Sequence, residues 1–195
     1  MYAVPAHEGK IQQAAEMICH TIKAERNRYM ITSLEAFKKG WAFESDATEK
    51  IFAALTDSSL RQKVTDGHWD LGSIAWHITA TIADMMNHAG LPVQGPTYED
   101  KPPASAAEIL ERYRAASAAM LRELCDKWTD ASLPEEIDMY GAKWSRGMTL
   151  GCLIAHQTHH RGQMTILMRQ AGLKVPGIYG PSKEEWAAMG MEAPV

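Results

Sequence analysis

Three histidines fall within five positions of the stretch AHQTHHRGQM, which covers residues 155–164. On an α-helix successive residues are about 100° apart, so His156 and His160 lie about 40° from one another on one face. His159 falls on the margin of that face, and Arg161 points to the opposite, polar side. Two histidines at this spacing can converge on a single metal ion. The stretch therefore presents His156 and His160 as a candidate pair of metal ligands.

The same pair has a second interpretation, because a buried histidine is often a hydrogen-bonded packing residue. Leu153 and Leu167 flank the pair on its face, which makes the surroundings apolar. Polar ring nitrogens in such surroundings need partners, and a metal would satisfy one nitrogen on each ring. Cys152, one turn before His156, could be a soft fourth ligand or a small core residue. Gly162, in mid-helix, predicts the close approach of a neighbouring backbone.

The third ligand should come from another helix, and His77 is the candidate. It lies at the edge of the apolar face of a helix predicted over residues 70–89, where a side chain can face a cleft between helices. Three neutral imidazoles with an open coordination position are typical of a catalytic metal site. Histidine ligands suit Zn, Ni, Fe and Co alike, so the identity of the divalent metal stays open.

Asp84, His159 and Gln163 could support such a site. Asp84 lies two turns after His77 on almost the same face, where it could orient an imidazole or be an unrelated surface acid. Gln163 could form a hydrogen bond near the site or with another helix. His159, on the margin of the face, is a further hydrogen-bonding candidate. The serines lie outside any GxSxG motif, so the sequence shows no nucleophilic triad and leaves the catalytic residues unknown.

The elements that carry these residues are predicted to be helices. A Ser or Thr followed three residues later by Glu begins a helix at Thr32, at Ser105 and at Ser182. Asp70 and Gly90 are the predicted caps of the helix that carries His77. Four helices of about 20 residues each, a natural length for a bundle, are predicted at residues 32–55, 70–89, 105–128 and 149–171.

The segments between these helices are of two kinds. Residues 91–104 are long and rich in proline, which suits a crossover along the bundle. Residues 130–148 contain a Tyr-Gly turn that predicts a small hairpin. An amphipathic pattern within residues 1–29 predicts an extra N-terminal helix, attached to a bundle domain of residues 30–195 that ends in a short helix.

Charge and composition argue against several classes of protein. The 195 residues contain 20 Lys and Arg against 24 Asp and Glu, and this net charge of −4 disfavours binding to nucleic acid or acidic membranes. The sequence has no apolar run of membrane-spanning length, and its N-terminus lacks the pattern of a secretory signal. Its three cysteines form no CxxC pair, so we expect a reducing, cytoplasmic location.

Four segments within residues 30–192 together resemble the DinB/YfiT-like family; they are WDLGSIAWHI, EEIDMYGAKWSRGMTL, HQTHHRGQ and VPGIYGPSKEEWAAMGM. The resemblance implies an all-α four-helix bundle with a long crossover, commonly a homodimer. It also implies a divalent metal held by one histidine of the second bundle helix and two of the fourth. In this sequence these are His77, His156 and His160.

The resemblance implies several functions. The first expectation is a metal-dependent enzyme acting on a small molecule, as a transferase that uses a low-molecular-weight thiol. The alternatives are a metal-dependent hydrolase, with Asp84 or another carboxylate as the base, and a non-catalytic metal-binding protein of the stress response. The sequence itself shows no strong general base, so the choice of the transferase comes from the resemblance alone.

Overall fold

A computed structural model describes residues 30–194 of the protein, and four long helices form a bundle within this range. The predicted helix in residues 1–29 lies outside the described residues. The helices are α1 (Leu34–Ala53), α2 (Leu71–His88), α3 (Ala106–Lys127), α4 (Arg146–Gln170) and the short α5 (Lys183–Trp186). The predicted all-α bundle and its short C-terminal helix are confirmed. No helix within residues 30–194 is long and apolar enough to cross a membrane.

The contacts at the helix ends define the direction of each helix. The start of α1 lies beside the start of α4, where the Ile31 amide donates to the Gly147 carbonyl at 3.2 Å. The end of α1 lies beside the start of α3, where the Asp57 carboxylate accepts from the Ala106 amide at 2.8 Å. The start of α2 also lies at this end, where the Leu71 amide donates to the carbonyl of Gln62, in the connection after α1, at 2.8 Å. Helices α2 and α3 therefore start at the same end of the bundle and are parallel neighbours. The chain must therefore run along the bundle between them, which confirms the predicted crossover.

The predicted hairpin is present between α3 and α4. Strands β1 (Glu136–Met139) and β2 (Ala142–Ser145) pair in antiparallel register. Tyr140 and Gly141 form the two-residue turn with φ of 52° and 83°, the positive values that a tight hairpin turn of this hand requires. The turn carries Tyr140 across to the far end of α2, where its hydroxyl donates to Asp84.

The bundle core consists of apolar side chains from all four long helices. The largest fully buried members are Trp41, Tyr113, Phe37, Phe52, Ile51, Leu71, Ile78, Ile82, Met86, Leu91, Ile109 and Met120. Each such side chain contributes about 1.5–3 kcal/mol on burial. This packing fixes the facing surfaces of α2 and α4, which carry the three candidate ligands.

Most helices begin at the predicted caps. The Asp70 carboxylate accepts from the Ser73 amide at 2.7 Å, and the Ser105 hydroxyl accepts from the Glu108 amide at 3.4 Å. At Ser182 the cap runs the other way, because the Glu185 carboxylate accepts from the Ser182 amide at 3.0 Å. These side chains satisfy amide donors that have no partner within their own helix.

Two predicted helix starts are wrong by one to three residues. The cap of α1 is Ser33 and not Thr32, because the Ser33 hydroxyl accepts from the Ala36 amide at 3.4 Å. The amide of Leu34, the first residue of α1, donates to the Asp130 carboxylate at 2.8 Å. This hydrogen bond holds the start of α1 against the turn after α3. Helix α4 begins before residue 149 because Ser145, the last residue of β2, caps it directly.

The predicted close approach at Gly162 is wrong. Gly162 is exposed, and a β-carbon built there meets no other atom within 4 Å. The close approach lies instead at Gly147, where a β-carbon would clash with the carbonyl oxygen of Ile31. Glycine at the first turn of α4 therefore permits the contact between α1 and α4, and glycine in its middle has no packing role.

These two glycines give opposite stability predictions. We expect Gly162→Ala to raise the free energy of unfolding by about 0.5–1 kcal/mol, because alanine restricts the unfolded chain and favours helix. We expect Gly147→Ala to lower it, because the Ile31 carbonyl must move. Urea denaturation of both variants measures the two shifts, and a Gly162→Ala variant less stable than the wild type would contradict the assignment.

Candidate metal centre

The three predicted ligands lie together at the seam between α2 and α4. The Nε2 atom of His156 is 2.9 Å from Nε2 of His77 and 3.1 Å from Nε2 of His160. One ligand atom from each of the three residues lies within 4.8 Å of the others. His77 reaches this point from the edge of α2, and the other two reach it from consecutive turns of α4. The three imidazoles predicted from the sequence therefore lie together in the structure.

Aromatic rings on both sides hold the His77 ring in place. Trp69, just before α2, packs against it with a centroid distance of 4.9 Å and lies 6.3 Å from the ring of His160. Tyr98, from the crossover, stacks on His77 at 5.4 Å and forms a 2.7 Å hydrogen bond with Thr81. Sequence reasoning missed both residues. Tyr98 is distant from the histidines in sequence, so no helical spacing could reveal it.

The environment keeps the three imidazoles neutral. Burial, with a smaller effect of the nearby His160, lowers the pKa of His77 from 6.5 to about 4. Burial and the neighbouring histidines lower the pKa of His156 to about 3. The pKa of His160 is lowered as well, chiefly by burial. Neutral imidazole is the form that binds a metal, so the site is prepared for one near pH 7.

The ring nitrogens fit a cation better than they fit one another. Nδ1 of His160 is 2.7 Å from the side-chain oxygen of Gln163, so Nδ1 carries the ring proton. The lone pair on Nε2 of His160 then faces the other two rings. Nε2 of His156 faces two ring nitrogens and carries at most one hydrogen. Hydrogen bonding therefore satisfies only one of the two contacts, whereas a divalent metal accepts all three lone pairs. The donor set fits a divalent metal bound by histidine.

Gln163 and His159 lie beside the three histidines. The amide nitrogen of Gln163 is 3.2 Å from Nε2 of His159, and the His159 ring lies 5.0 Å from the His160 ring. Gln163 thus orients His160 and connects it to the exposed His159. By contrast, the buried Nδ1 of His156 has no hydrogen-bond partner among the described residues, so no hydrogen bond orients that ring through this atom.

Neither Asp84 nor Cys152 forms a hydrogen bond with the three histidines. The Asp84 carboxylate accepts from the Tyr140 hydroxyl and lies 3.7 Å from Nδ1 of His88. Its charge acts on His77 only at a distance, raising the pKa slightly against the larger effect of burial. Burial raises the pKa of the Cys152 thiol to about 11, so this side chain stays protonated.

A cavity of about 750 Å³ opens beside the histidines. This volume suits a small-molecule ligand. Aromatic side chains form much of its wall, with His77, His156 and Asp84 among the polar residues; the aromatic residues are Trp69, Trp76, Tyr98, Tyr140 and Trp144. Two of the three candidate ligands, His77 and His156, therefore face a pocket that a substrate can enter.

The prediction that Arg161 points outward is wrong. Arg161 is 3% exposed, and its guanidinium donates to Glu44, to Thr48 at 3.0 Å and to Tyr179 at 2.6 Å. The side of α4 opposite the histidines is covered by α1 and by the C-terminal segment that carries Tyr179. That side is polar because it carries a buried polar network, and not because it meets solvent.

Gln157 belongs to the same buried network, and sequence reasoning missed it. Its side-chain oxygen accepts from the Thr48 hydroxyl at 3.0 Å and from the Tyr113 hydroxyl at 2.9 Å. The signal was present, because Gln157 and Arg161 are four residues apart on α4, as are Glu44 and Thr48 on α1. The same spacing occurs in exposed pairs such as Arg112 and Glu108, so the packing of α1 against α4 is what identifies these residues as buried.

Comparison with known proteins places the chain in a family. The DinB family matches residues 30–193. YrdA of Bacillus subtilis (strain 168), a protein described as uncharacterized, is 50% identical over 165 residues, which cover 85% of this chain and 99% of YrdA.

Two solved structures share the fold. A DinB-like protein from Bacillus cereus ATCC 10987 is 43% identical with a TM-score of 0.75, covering 77% of this chain and 100% of that chain. The DinB-like protein YjoA from Bacillus subtilis is 15% identical with a TM-score of 0.60, covering 75% of this chain and 99% of its own, and this likeness shows the fold alone. By the match over residues 30–193 and the identity to YrdA, the chain belongs to the DinB family.

Proposed function

We propose that the protein is a metal-dependent enzyme that acts on a small molecule. His77, His156 and His160 are the ligands of one divalent ion, which could be Zn, Ni, Fe or Co. The single observation that carries the proposal is the convergence of three neutral imidazoles, within 4.8 Å of one another, at the wall of an open cavity. A purely structural metal site is closed by its protein ligands, whereas this one leaves space for another molecule.

The bound metal would supply a Lewis acid that lowers the pKa of a thiol or water. The chain's own residues prepare for this chemistry. Burial keeps the imidazoles neutral, and Gln163 holds the Nδ1 proton of His160 so that Nε2 is free. Trp69 and Tyr98 hold His77 from both sides and limit its contact with water. The protonated thiol of Cys152 forms part of the wall and does not serve as a nucleophile.

The position of Asp84 argues against a hydrolase in which Asp84 is the base. To act as that base, its carboxylate would have to lie within hydrogen-bond reach of the attacking water. Asp84 lies seven residues after His77, about 10 Å along the helix axis, and its carboxylate is engaged by Tyr140. A thiol needs no such base once its pKa is lowered: its proton passes to solvent, sulfur bonds to an electrophilic carbon, and the leaving group departs with the bonding electrons.

The remaining expectations are part of the same proposal. The hydrolase is the second candidate, because Asp84 does face the cavity. A non-catalytic metal-binding protein is the third candidate. The open cavity disfavours it, because such a site needs no space for another molecule. A homodimer and a cytoplasmic location stay predictions.

The test is a panel of low-molecular-weight thiols with an aryl halide electrophile, assayed with and without a chelator. We expect metal-dependent loss of thiol, reduced by chelation at least about tenfold and restored by adding the metal back. The His156→Ala/His160→Ala variant is the matched control and should remain inactive with metal. Conjugation that survives complete metal removal would exclude the proposal, and ester hydrolysis without thiol consumption would favour the hydrolase.

A further inference from the structure

The cavity beside the histidines has two chemically different ends. His77 and Asp84 lie seven residues apart on nearly the same face of α2, which separates them by about 10 Å along the helix. The three imidazoles lie at one end, and the Asp84 carboxylate lies at the other, with Tyr140 of the hairpin turn. A ligand that fills the cavity therefore meets both.

The walls between these ends are suited to positive charge. Five aromatic residues contribute to them, and no lysine or arginine within residues 30–194 lines the cavity. The face of an aromatic ring attracts a cation, by about 0.5–2 kcal/mol according to how far the cation is desolvated. An anionic group at this end would meet Asp84 without any compensating charge.

The Asp84 carboxylate itself has room for a cationic partner. Its side chain is 21% exposed, and Tyr140 donates a neutral hydroxyl hydrogen bond to one of its oxygens. Burial and the adjacent carboxylate raise the pKa of Tyr140, so the hydroxyl stays a donor. His88 approaches the other oxygen to 3.7 Å, but its Nδ1 faces the backbone carbonyl of Asp84 at 2.9 Å. Within residues 30–194, no lysine or arginine forms an ion pair with Asp84.

We propose that the cavity binds an organic cation, with a quaternary or protonated nitrogen held by the Asp84 carboxylate and the ring of Tyr140. The proposal rests on the proposed function for the other end of the ligand: a metal-binding group lies at the histidines, and the cationic nitrogen lies at Asp84. The substrate class is thus a small molecule with an ammonium group at one end and a donor atom at the other. Acidic substrates are excluded from the Asp84 end.

Matched pairs of probes test this by calorimetry and by quenching of tryptophan fluorescence at pH 8. The cations are choline and phenyltrimethylammonium, and the neutral isosteres are dimethylbutanol and tert-butylbenzene, in which carbon replaces nitrogen. We expect each cation to bind about tenfold tighter than its isostere. Asp84→Asn should abolish most of this preference. Asp126→Asn, which removes an exposed carboxylate on α3 with 80% of its side chain accessible, should leave it unchanged.

Equal binding of cation and isostere, binding of neither, or tighter binding of benzoate would each overturn the proposal. Tyr140→Phe keeps the ring and the Asp84 charge but removes the hydrogen bond between Tyr140 and Asp84, so it should retain most of the preference for the cation. It therefore separates the loss of the Asp84 charge in Asp84→Asn from a structural effect of losing this hydrogen bond. The same measurement on His156→Ala/His160→Ala separates the two proposals. In this double variant, which should lack metal, binding should still favour the cation over its isostere. A wild-type protein that contains metal but shows no such preference would refute the cation site and leave the proposed metal centre standing.

Discussion

Purified without added metal, the His156→Ala/His160→Ala variant should contain less than about one tenth of the divalent metal carried by the wild-type protein. Two of the three converging ring nitrogens are then absent, and His77 alone is a weak ligand. The measurement is elemental analysis of both proteins after the same purification. It also identifies the metal, which the histidine ligands leave open.

Two further variants sharpen this result. His159→Ala removes an exposed histidine of the same stretch and should leave the metal content unchanged. Gln163→Ala should lower metal affinity about 10- to 100-fold while retaining the ligands, because the His160 ring loses the acceptor that fixes its Nδ1 proton. Equal metal content in the double variant and the wild type would refute the site.

Arg161→Ala should lower the free energy of unfolding by about 3–5 kcal/mol. The side chains of Arg161 and Glu44 are 4% and 13% exposed and form a direct ion pair. Removing the guanidinium leaves the Glu44 carboxylate covered and without its cation, and it leaves Thr48 and Tyr179 without a donor. Urea denaturation, followed by far-ultraviolet circular dichroism, measures the loss.

Two comparisons identify the cause of that loss. Arg112→Ala breaks an exposed pair with Glu108, with side chains 60% and 50% accessible, and should give no measurable change. Arg161→Met combined with Glu44→Gln removes both charges and should destabilise less than Arg161→Ala alone. If Arg161→Ala were as stable as Arg112→Ala, the buried network would have no role in stability.

Residue type and helical spacing predicted the histidine triad because each choice was local. His156 and His160 are four residues apart on one helix, and His77 lies at the edge of an apolar face. The caps at Asp70, Ser105 and Ser182 are local in the same sense, since each capping side chain bonds to an amide three residues away.

The errors concern residues whose environment comes from distant parts of the chain. A helical wheel shows that Arg161 lies opposite the histidines, but not that α1 and the C-terminal segment cover that side. Tyr98 lies in the crossover, so only the packed bundle shows that it stacks on His77. The prediction for Gly162 assumed that a glycine, which destabilises the middle of a helix, is there to let a neighbouring element approach. Within residues 30–194, no neighbouring element packs against Gly162, which faces solvent.

The separation of His77 and His156 along the chain affects the order of folding. These residues are 79 positions apart, and α4 is the last long helix of the bundle. Contacts between distant segments form late, because the entropy of closing a long loop is lost before the contact can stabilise the chain. During synthesis His77 emerges well before its partners, so the nascent chain holds an incomplete ligand set until α4 docks on α2. On the proposed function, we therefore expect metal uptake during refolding to require the docking of α4 on α2.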